Sequence, residues 1–225
     1  MLKIGHRGAA GLVPENTLAS FQKAIDLGVD MVELDVHLCS SGELVVIHDD
    51  KVDRTTNGKG EVASMTLAQL KKLDAGLGQK IPTLTEVLDL VNRRVGVIIE
   101  LKANGTVQPA NEIIQGYVSQ KGWAYQDFIV ISFDHYRLLK LSQLNRLIRL
   151  GPIIEAKPIG YAEFAVKLPA YSIHLAYAYV DQNFIQDAHR RGFQVVVWTV
   201  NELKEIKRFK SLGVDGVTSD YPDRL

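Results

Sequence analysis

A repeated alternation of short apolar runs and amphipathic stretches constrains the fold of this chain more than any other feature. Parallel strands joined by crossover helices produce this pattern. Eight runs rich in Val and Ile are present, at Leu2–His6, Met31–His37, Val95–Lys102, Phe128–Phe133, Arg146–Leu150, Tyr171–Ala176, Gln194–Val200 and Val214–Thr218. Eight strands alternating with helices predict an α/β fold closed into a TIM (β/α)8 barrel, with an open doubly wound sheet as the alternative.

The stretches between the runs show helical periodicity, and several end on a glycine suited to a helix C-cap. The predicted helices cover Thr17–Leu27, Leu84–Asn92, Ala110–Gln120, His135–Leu144, Tyr161–Leu168, Asn183–Arg190 and Glu202–Leu212. After the eighth run only residues 219–225 remain. This segment contains Pro222 and is too short for a full helix.

A long excursion separates the second and third runs. It begins with an extra apolar run, Leu44–Ile47, which we expect to pair antiparallel with the second strand. If Ser41-Gly42 is a two-residue turn, the register places His48 opposite Asp35. Residues 50–81 then form a small insertion over one end of the barrel, with a short helix at Thr66–Leu73. We expect residues 1–225 to form a single domain that includes this insertion.

Composition excludes several classes of protein. Lys plus Arg and Asp plus Glu each total 26, so there is no basic surplus of the kind that binds nucleic acid. Cys39 is the only cysteine, so no disulfide forms within the chain. No run reaches the length of a membrane span, and the start has no apolar signal region. We therefore expect a cytoplasmic protein without stable membrane association; the oligomeric state is left open.

Ionisable residues interrupt the buried runs near their C-terminal ends. Glu33 and Asp35 share one face of the second strand, and Glu100 and Lys102 share one face of the third. Such groups are costly inside a parallel sheet unless they are paired or bind a metal. Because barrel active sites lie at the C-terminal ends of the strands, these positions predict an active site.

Three carboxylates, those of Glu33, Asp35 and Glu100, could converge on one point. They would repel one another, and a hard divalent cation would relieve that repulsion. We predict a Mg²⁺ site here, with Ca²⁺ or Mn²⁺ as other candidates. The alternative is a purely structural network in which Arg7 and Lys102 pair with the carboxylates.

Two histidines, His6 and His48, are expected at the same mouth. Both titrate near neutral pH, so one can accept a proton while the other donates one. Arg7 and Lys102 would offset charge on phosphoryl oxygens, which suits phosphoryl chemistry. We expect His37 to be structural. The remaining histidines, His135, His174 and His189, are placed in helical or outer contexts and given no role.

Aromatic residues end two of the runs at the predicted rim. Trp198 and Phe133 could contact an apolar part of a small-molecule substrate, or they could be core residues. Cys39 lacks an activating base, so a nucleophilic thiol is not expected. No phosphate-binding glycine loop follows the first strand, so a nucleotide cofactor is not indicated.

Several motifs occur in order along the whole chain. They are His6-Arg7-Gly8, Pro14-Glu15-Asn16-Thr17, Glu33-Leu34-Asp35-Val36, Val45-Val46-Ile47-His48-Asp49, Asp53-Arg54-Thr55-Thr56-Asn57-Gly58, Leu73-Asp74-Ala75-Gly76, Ile81-Pro82-Thr83-Leu84, Glu100-Leu101-Lys102, Val197-Trp198-Thr199-Val200-Asn201 and Asp215-Gly216-Val217-Thr218-Ser219-Asp220-Tyr221-Pro222. In their order and spacing the chain resembles the glycerophosphodiester phosphodiesterases.

The resemblance implies a TIM barrel with a small insertion that hydrolyses glycerophosphodiesters, such as glycerophosphocholine or glycerophosphoethanolamine, to sn-glycerol 3-phosphate and an alcohol. It implies these site residues: Glu33, Asp35 and Glu100 as metal ligands, His6 as acid, His48 as base, and Arg7 and Lys102 as phosphate contacts. The alternatives are a lysophospholipase D-like or sphingomyelinase D-like enzyme acting on lipids, and a metabolite-binding barrel without catalysis.

Overall fold

The computed structural model describes residues 1–225, and its nine strands form one sheet. The strands are β1 (Leu2–Gly5), β2 (Met31–Leu38), β3 (Leu44–Val46), β4 (Gly96–Leu101), β5 (Phe128–Ser132), β6 (Arg149–Ile154), β7 (Ser172–Ala176), β8 (Gln194–Trp198) and β9 (Gly216–Ser219). Eight run parallel in the order β1-β9-β8-β7-β6-β5-β4-β2, and β1 also pairs with β2. The barrel is therefore closed, which confirms the predicted TIM fold. The ninth strand, β3, lies outside it and pairs antiparallel with β2.

Helices follow most of the barrel strands. They are α1 (Leu18–Asp26), α2 (Leu67–Leu70), α3 (Leu84–Val91), α4 (Val107–Gln120), α5 (His135–Leu144), α6 (Gln182–Arg190) and α7 (Leu203–Leu212). Side-chain caps fix several of the N-termini: the hydroxyls of Thr17 and Thr83 accept hydrogen bonds from the first turns of α1 and α3. Between β6 and β7 the connection is a 3₁₀ helix, Tyr161–Lys167, rather than an α-helix. Pro222–Arg224 forms only a 3₁₀ turn at the C-terminus.

Apolar side chains fill the barrel from within and cover it from outside. Because strand residues alternate, one set points inward and the other packs against the helices. The inner cluster contains Ile4, Met31, Ile98, Ile129, Ile131, Ile153 and Val196. Two larger clusters lie between the strands and the surrounding helices, around Phe128 and around Phe184. The packed interior supports the functional side chains that project from the strand ends.

The excursion after β3 has its own small core. Its apolar residues pack on the hairpin of β2 and β3, in a cluster of Cys39, Val45, Ile47, Val52, Val62, Leu70, Ala75 and Ile81. The helix α2 is shorter than the predicted Thr66–Leu73, and Thr66 and Gln69 form a capping box at its start. The excursion is thereby anchored beside β2, the strand that carries Glu33 and Asp35.

The predicted register of the hairpin is wrong by one residue. Val36 lies opposite Val46, and the Asp35 carbonyl accepts a hydrogen bond from the Ile47 N–H. The loop has three residues, 40–42, because Cys39 N–H bonds to the Glu43 carbonyl. His48 therefore lies beyond the end of β3 and is not the ladder partner of Asp35.

Strand β6 also differs from its prediction, the fifth apolar run. It covers Arg149–Ile154 rather than Arg146–Leu150. Gly151 and Pro152 read as loop residues in the sequence. Pairing with β5 keeps them in the strand, with Ile131 opposite Gly151 and Ser132 opposite Pro152, and β7 pairs with the two residues that follow, Ile153 and Ile154.

Candidate active site

A tight turn after β1 directs two functional residues over the mouth of the barrel. Arg7 and Gly8 have φ values of +49° and +85°. A Cβ atom on Gly8 would lie 2.5 Å from the carbonyl carbon of Ser20 on α1, so the position requires glycine. The Arg7 backbone N–H donates to Glu33 Oε2 at 3.0 Å. This turn fixes His6 and Arg7 against the end of β2.

The three predicted carboxylates converge. Glu33, Asp35 and Glu100 are buried, and each offers an oxygen within 4.8 Å of the others. Burial, followed by the charge of Asp35, raises the pKa of Glu33 to about 7 and that of Glu100 to about 8. Burial opposes ionisation of Asp35 too, but Arg7 and Lys102 hold the pKa of Asp35 below its usual value.

Both cations proposed for a structural network contact this cluster. Lys102 Nζ lies 3.0 Å from Glu100 Oε1 and 3.7 Å from Asp35 Oδ1, and Arg7 Nε lies 3.4 Å from Asp35 Oδ2. They do not balance it, because three carboxylates face two cations and Arg7 is shared with Glu15 at 2.7 Å. Glu33 and Glu100 keep raised pKa values even beside these cations, so the buried, all-oxygen set fits a hard divalent cation such as Mg²⁺ or Ca²⁺ in place of the protons.

His6 lies between carboxylates. Its Nδ1 is 2.6 Å from Asp220 Oδ1, and its Nε2 is 4.0 Å from Glu33 Oε2. Asn201, which follows β8, donates to the other oxygen of Asp220 at 2.7 Å and so orients it. Burial alone would lower the pKa of His6, but the Asp220 hydrogen bond and the charge of Glu33 raise it above the usual value. The surroundings favour the protonated ring.

In contrast to those of His6, the surroundings of His48 favour the neutral ring. Its Nδ1 is 2.6 Å from Asp49 Oδ1, and its Nε2 is 3.1 Å from Lys102 Nζ. A lysine ammonium only donates, so Nε2 accepts and the ring proton is on Nδ1. Burial is the main cause that lowers the pKa of His48. His37, predicted to be structural, places its Nε2 3.0 Å from the His48 carbonyl oxygen.

An arginine of the excursion connects these groups, and the motif containing it was not assigned a role from sequence. Arg54 donates to both oxygens of Asp49 at 2.8 and 2.9 Å, and to both oxygens of Glu15 at 2.7 and 2.8 Å. Glu15 in turn bonds Arg7. One side chain of the excursion, Arg54, therefore holds both Asp49, the partner of His48, and Glu15, the partner of Arg7.

One cavity collects the predicted site residues. All of them except the buried Asp35 line it, together with Ile131, Ile153, His174, Thr199 and Thr218. Phe133 and Trp198 meet edge to face, with ring centroids 5.6 Å apart. The structure places both aromatic rings at the cavity, with Lys102 Nζ 6.0 Å from the centre of the Phe133 ring.

The placement of one histidine is a correction. His174 was assigned to a helical or outer context, but it lies on β7, is buried and lines this cavity. Its run had been predicted as a strand, yet a strand buried on both faces gives no signal of which residues point inward. His135 and His189 lie outside the cavity, bonded to the Ile153 carbonyl and to Asp215.

Comparison with known proteins identifies the family. The profile of the glycerophosphoryl diester phosphodiesterase family matches residues 6–224. The chain belongs to this family. A glycerophosphodiester phosphodiesterase of Caldanaerobacter subterraneus is 36% identical over 100% of this chain and 96% of its own length. The expectation of a glycerophosphodiester phosphodiesterase-type enzyme is confirmed.

Solved structures of relatives share the fold. A phosphodiesterase of Oleispira antarctica, solved in complex with the product sn-glycerol-3-phosphate, superposes with a TM-score of 0.90 at 32% identity, covering 98% of this chain and 93% of that one. A glycerophosphodiester phosphodiesterase of Thermotoga maritima has a TM-score of 0.82 at 28% identity, covering 99% of this chain and 96% of that one.

A relative with a different named activity is also similar in sequence. A lysophospholipase D of Homo sapiens is 28% identical over 99% of this chain and 84% of its own length.

Proposed function

We propose that this chain hydrolyses glycerophosphodiesters, such as glycerophosphocholine or glycerophosphoethanolamine, to sn-glycerol 3-phosphate and an alcohol. The observation that carries the proposal is the pairing of two differently held histidines beside a buried three-carboxylate cluster in one cavity. The Oleispira antarctica relative was solved with sn-glycerol-3-phosphate, which supports the product. A small-molecule diester is the only partner that the proposal requires.

His48 acts as the general base and His6 as the general acid. The neutral His48 ring has a lone pair on Nε2, which can take a proton from the attacking hydroxyl. That hydroxyl belongs either to water or to the glycerol 2-position. Attack by the 2-hydroxyl would give a transient cyclic phosphate as the alcohol leaves, and water would then cleave its bond from phosphorus to the 2-oxygen to give glycerol 3-phosphate. His6, between Asp220 and Glu33, protonates the departing alcohol oxygen. The opposite surroundings of the two rings support this division.

Arg7 and Lys102 bind the phosphoryl oxygens. Both cations are about one-sixth exposed and line the cavity, so they can turn toward an anionic substrate. Glu33, Asp35 and Glu100 would hold Mg²⁺, or Ca²⁺ or Mn²⁺. When bound, such an ion supplies positive charge that stabilises the negative charge developing on phosphorus-bound oxygens. The aromatic rings of Phe133 and Trp198 contact the part of the substrate beyond the phosphate.

The test is product identification with matched variants. Wild-type protein with Mg²⁺ is expected to release glycerol 3-phosphate from glycerophosphocholine. His6→Ala and Glu100→Ala should lose this release while keeping the wild-type circular dichroism spectrum. ³¹P NMR of a slowed variant would show a cyclic phosphate if the 2-hydroxyl attacks. Binding of glycerophosphocholine without turnover, in any divalent ion, would instead identify a metabolite-binding barrel.

A lipid substrate is the second candidate, and one observation favours it. Large apolar side chains are exposed in the connections between the barrel strands: Leu77, Phe133 and Ile159 in loops, and Tyr136 in the first turn of α5. Leu77 belongs to the excursion, which reads as mostly polar in the sequence. Apolar groups at the mouth could contact an acyl chain. Faster turnover of lysophosphatidylcholine than of glycerophosphocholine would establish a lipid as the preferred substrate.

We further propose that residues 1–225 work as one domain, with residues 50–81 as its insertion, in the cytoplasm. The Arg54 contacts that tie the excursion to the active site support the first part. The single, buried and unpaired Cys39 is compatible with a reducing compartment. No helix has the length and apolar character needed to cross a bilayer.

A further inference from the structure

A buried histidine on β7 lines the cavity together with the apolar residues Ile131 and Ile153. His174 is 2% exposed, and its neighbours across the sheet are Ile153 on β6 and Val196 on β8. The proposed acid–base groups and cations all come from other strands or their loops. A buried imidazole in such a wall costs free energy unless its nitrogens are hydrogen-bonded.

The protein satisfies only one nitrogen of this ring. His174 Nε2 lies 3.1 Å from Ser172 Oγ. The Cδ2–Nε2 edge faces Gly151, where a Cβ atom would come within 2.8 Å of Nε2. The opposite edge carries Nδ1, and the Ser172 contact is the only hydrogen bond of the ring. Because His174 lines the cavity, a ligand bound there can be the partner of Nδ1.

The chemistry of the ring selects the kind of ligand. Burial lowers the pKa of His174 to about 3, so the ring is neutral near pH 7. Nδ1 is a donor or an acceptor, depending on which atom donates in the Ser172 pair. A hydroxyl group can match either tautomer. A phosphoryl oxygen only accepts, and Arg7 and Lys102 already provide charged donors for it.

A second unpaired group lies one step nearer the mouth. Trp198 is opposite Ala176, two residues beyond His174 along the β7–β8 ladder. Its indole Nε1–H is buried and has no hydrogen-bond partner, and the side chain lines the same cavity. Two nitrogens without a protein hydrogen bond, on adjacent strands, suit a small polyol better than an alkyl chain.

Resting on the proposed function, we propose that His174 is a specificity-determining residue that hydrogen-bonds the terminal hydroxyl of the substrate's glycerol group, with Trp198 beside it in the same subsite. Esterification of that hydroxyl, as in a lysophospholipid acylated there, removes its proton and its ability to donate. His174 would then favour free glycerophosphodiesters over lipids at this site.

The experiment compares glycerophosphocholine with propane-1,2-diol phosphocholine, which lacks only the terminal hydroxyl and keeps the 2-hydroxyl. Wild-type kcat/KM should be about 10- to 100-fold higher for glycerophosphocholine, the usual effect of losing a buried hydrogen bond. His174→Leu should lose about that factor on glycerophosphocholine and less than about threefold on the deoxy analogue. His174→Gln, which keeps a donor and an acceptor, should restore part of the preference.

Ser172→Ala is the matched control, since it removes the bond to Nε2 from a residue that does not line the cavity. The preference for the terminal hydroxyl should survive in it. Equal losses on both substrates in His174→Leu, or no preference in the wild type, would overturn the role of His174. The wild-type comparison needs no variant, so the absence of a preference would overturn the role even if His174→Leu does not fold, and His174→Gln then tests whether His174 is the source of the preference. Absence of wild-type turnover of either substrate would instead overturn the proposed function.

Discussion

The two halves of the active-site cavity are built from different materials. Strands β1, β2 and β4 contribute ionisable residues, and almost every one is hydrogen-bonded or ion-paired to another protein group. Strands β5 to β8 contribute mainly apolar and aromatic residues, and neither His174 Nδ1 nor Trp198 Nε1 has a hydrogen bond to the protein. The charged half is organised before substrate arrives, as transition-state stabilisation requires. The other half is left to be completed by the substrate.

The largest expected effect lies in the charged half. Glu100→Gln keeps the shape of the side chain but removes one of three converging carboxylates. We expect kcat/KM to fall by about 10³-fold or more, since a metal ion contributes several kcal/mol to transition-state stabilisation. Ile153→Val in the apolar half is the control, and about threefold or less is expected there. Comparable losses of kcat/KM in Glu100→Gln and Ile153→Val would show that the two halves do not differ in their contribution to catalysis.

Partners of the two histidines should set the pH profile. His48 must be neutral and its pKa is lowered, so the acidic limb of kcat/KM should lie below pH 6.5. His6 must be protonated and its pKa is raised, so the basic limb should lie above pH 6.5. Asp220→Asn should lose about 10- to 100-fold in rate and move the basic limb to lower pH, because it removes a group that raises the pKa of His6. An unchanged basic limb would argue against His6 as the acid.

Asp49→Asn provides the complementary shift. The Asp49 hydrogen bond raises the pKa of His48, so its loss should move the acidic limb further down and leave the basic limb in place. We expect a rate loss of about tenfold, because the neutral ring keeps its Lys102 contact. Movement of both limbs together would mean that the two histidines are not separately tuned.

Cation binding should be visible in stability as well as in rate. Burial raises the pKa of Glu33 to about 7 and of Glu100 to about 8, above their value of 4.5 when exposed. These groups therefore favour the folded state at low pH, and the metal-free protein loses this stability as pH rises through 8. Mg²⁺ must displace the protons, so it should raise Tm by several °C at pH 8 and by much less at pH 6. Glu100→Gln should show little response at either pH.

The smallest effect is expected from Phe133, which is 47% exposed at the rim. Phe133→Leu should change KM for glycerophosphocholine by less than about fivefold and leave kcat unchanged, since an exposed ring contributes little differential binding. A large fall in kcat would place the ring among the groups that act in the transition state. Comparison with Tyr136→Leu, also exposed in this region, controls for general surface effects.

The charged half could be predicted from sequence because it violates the rule for buried strands. Glu33, Asp35 and Glu100 stand out in runs that should be apolar, and strand alternation fixes which of them share a face. His48 was placed correctly at the mouth but through a wrong hairpin register, since the loop has three residues instead of two. His48 lies at the mouth because β3 ends at Val46 and the chain leaves the β2–β3 ladder before it.

The remaining features depend on contacts between distant segments. Arg54 meets Glu15 from 39 residues away, and Asp220 meets His6 from 214 residues away. No local pattern encodes such pairs. His174 was missed because both faces of β7 are buried, so the sequence does not distinguish inward from outward positions.

The central claim is that the charged half of the cavity hydrolyses glycerophosphodiesters with the aid of a divalent cation. It is tested most directly by removing metal from the purified protein with EDTA and measuring glycerol 3-phosphate release from glycerophosphocholine before and after Mg²⁺ is restored. We predict that release stops on removal and returns with Mg²⁺ in the wild type, but not in Glu100→Gln. Full activity in the metal-free protein, or equal recovery in both proteins, would contradict the account.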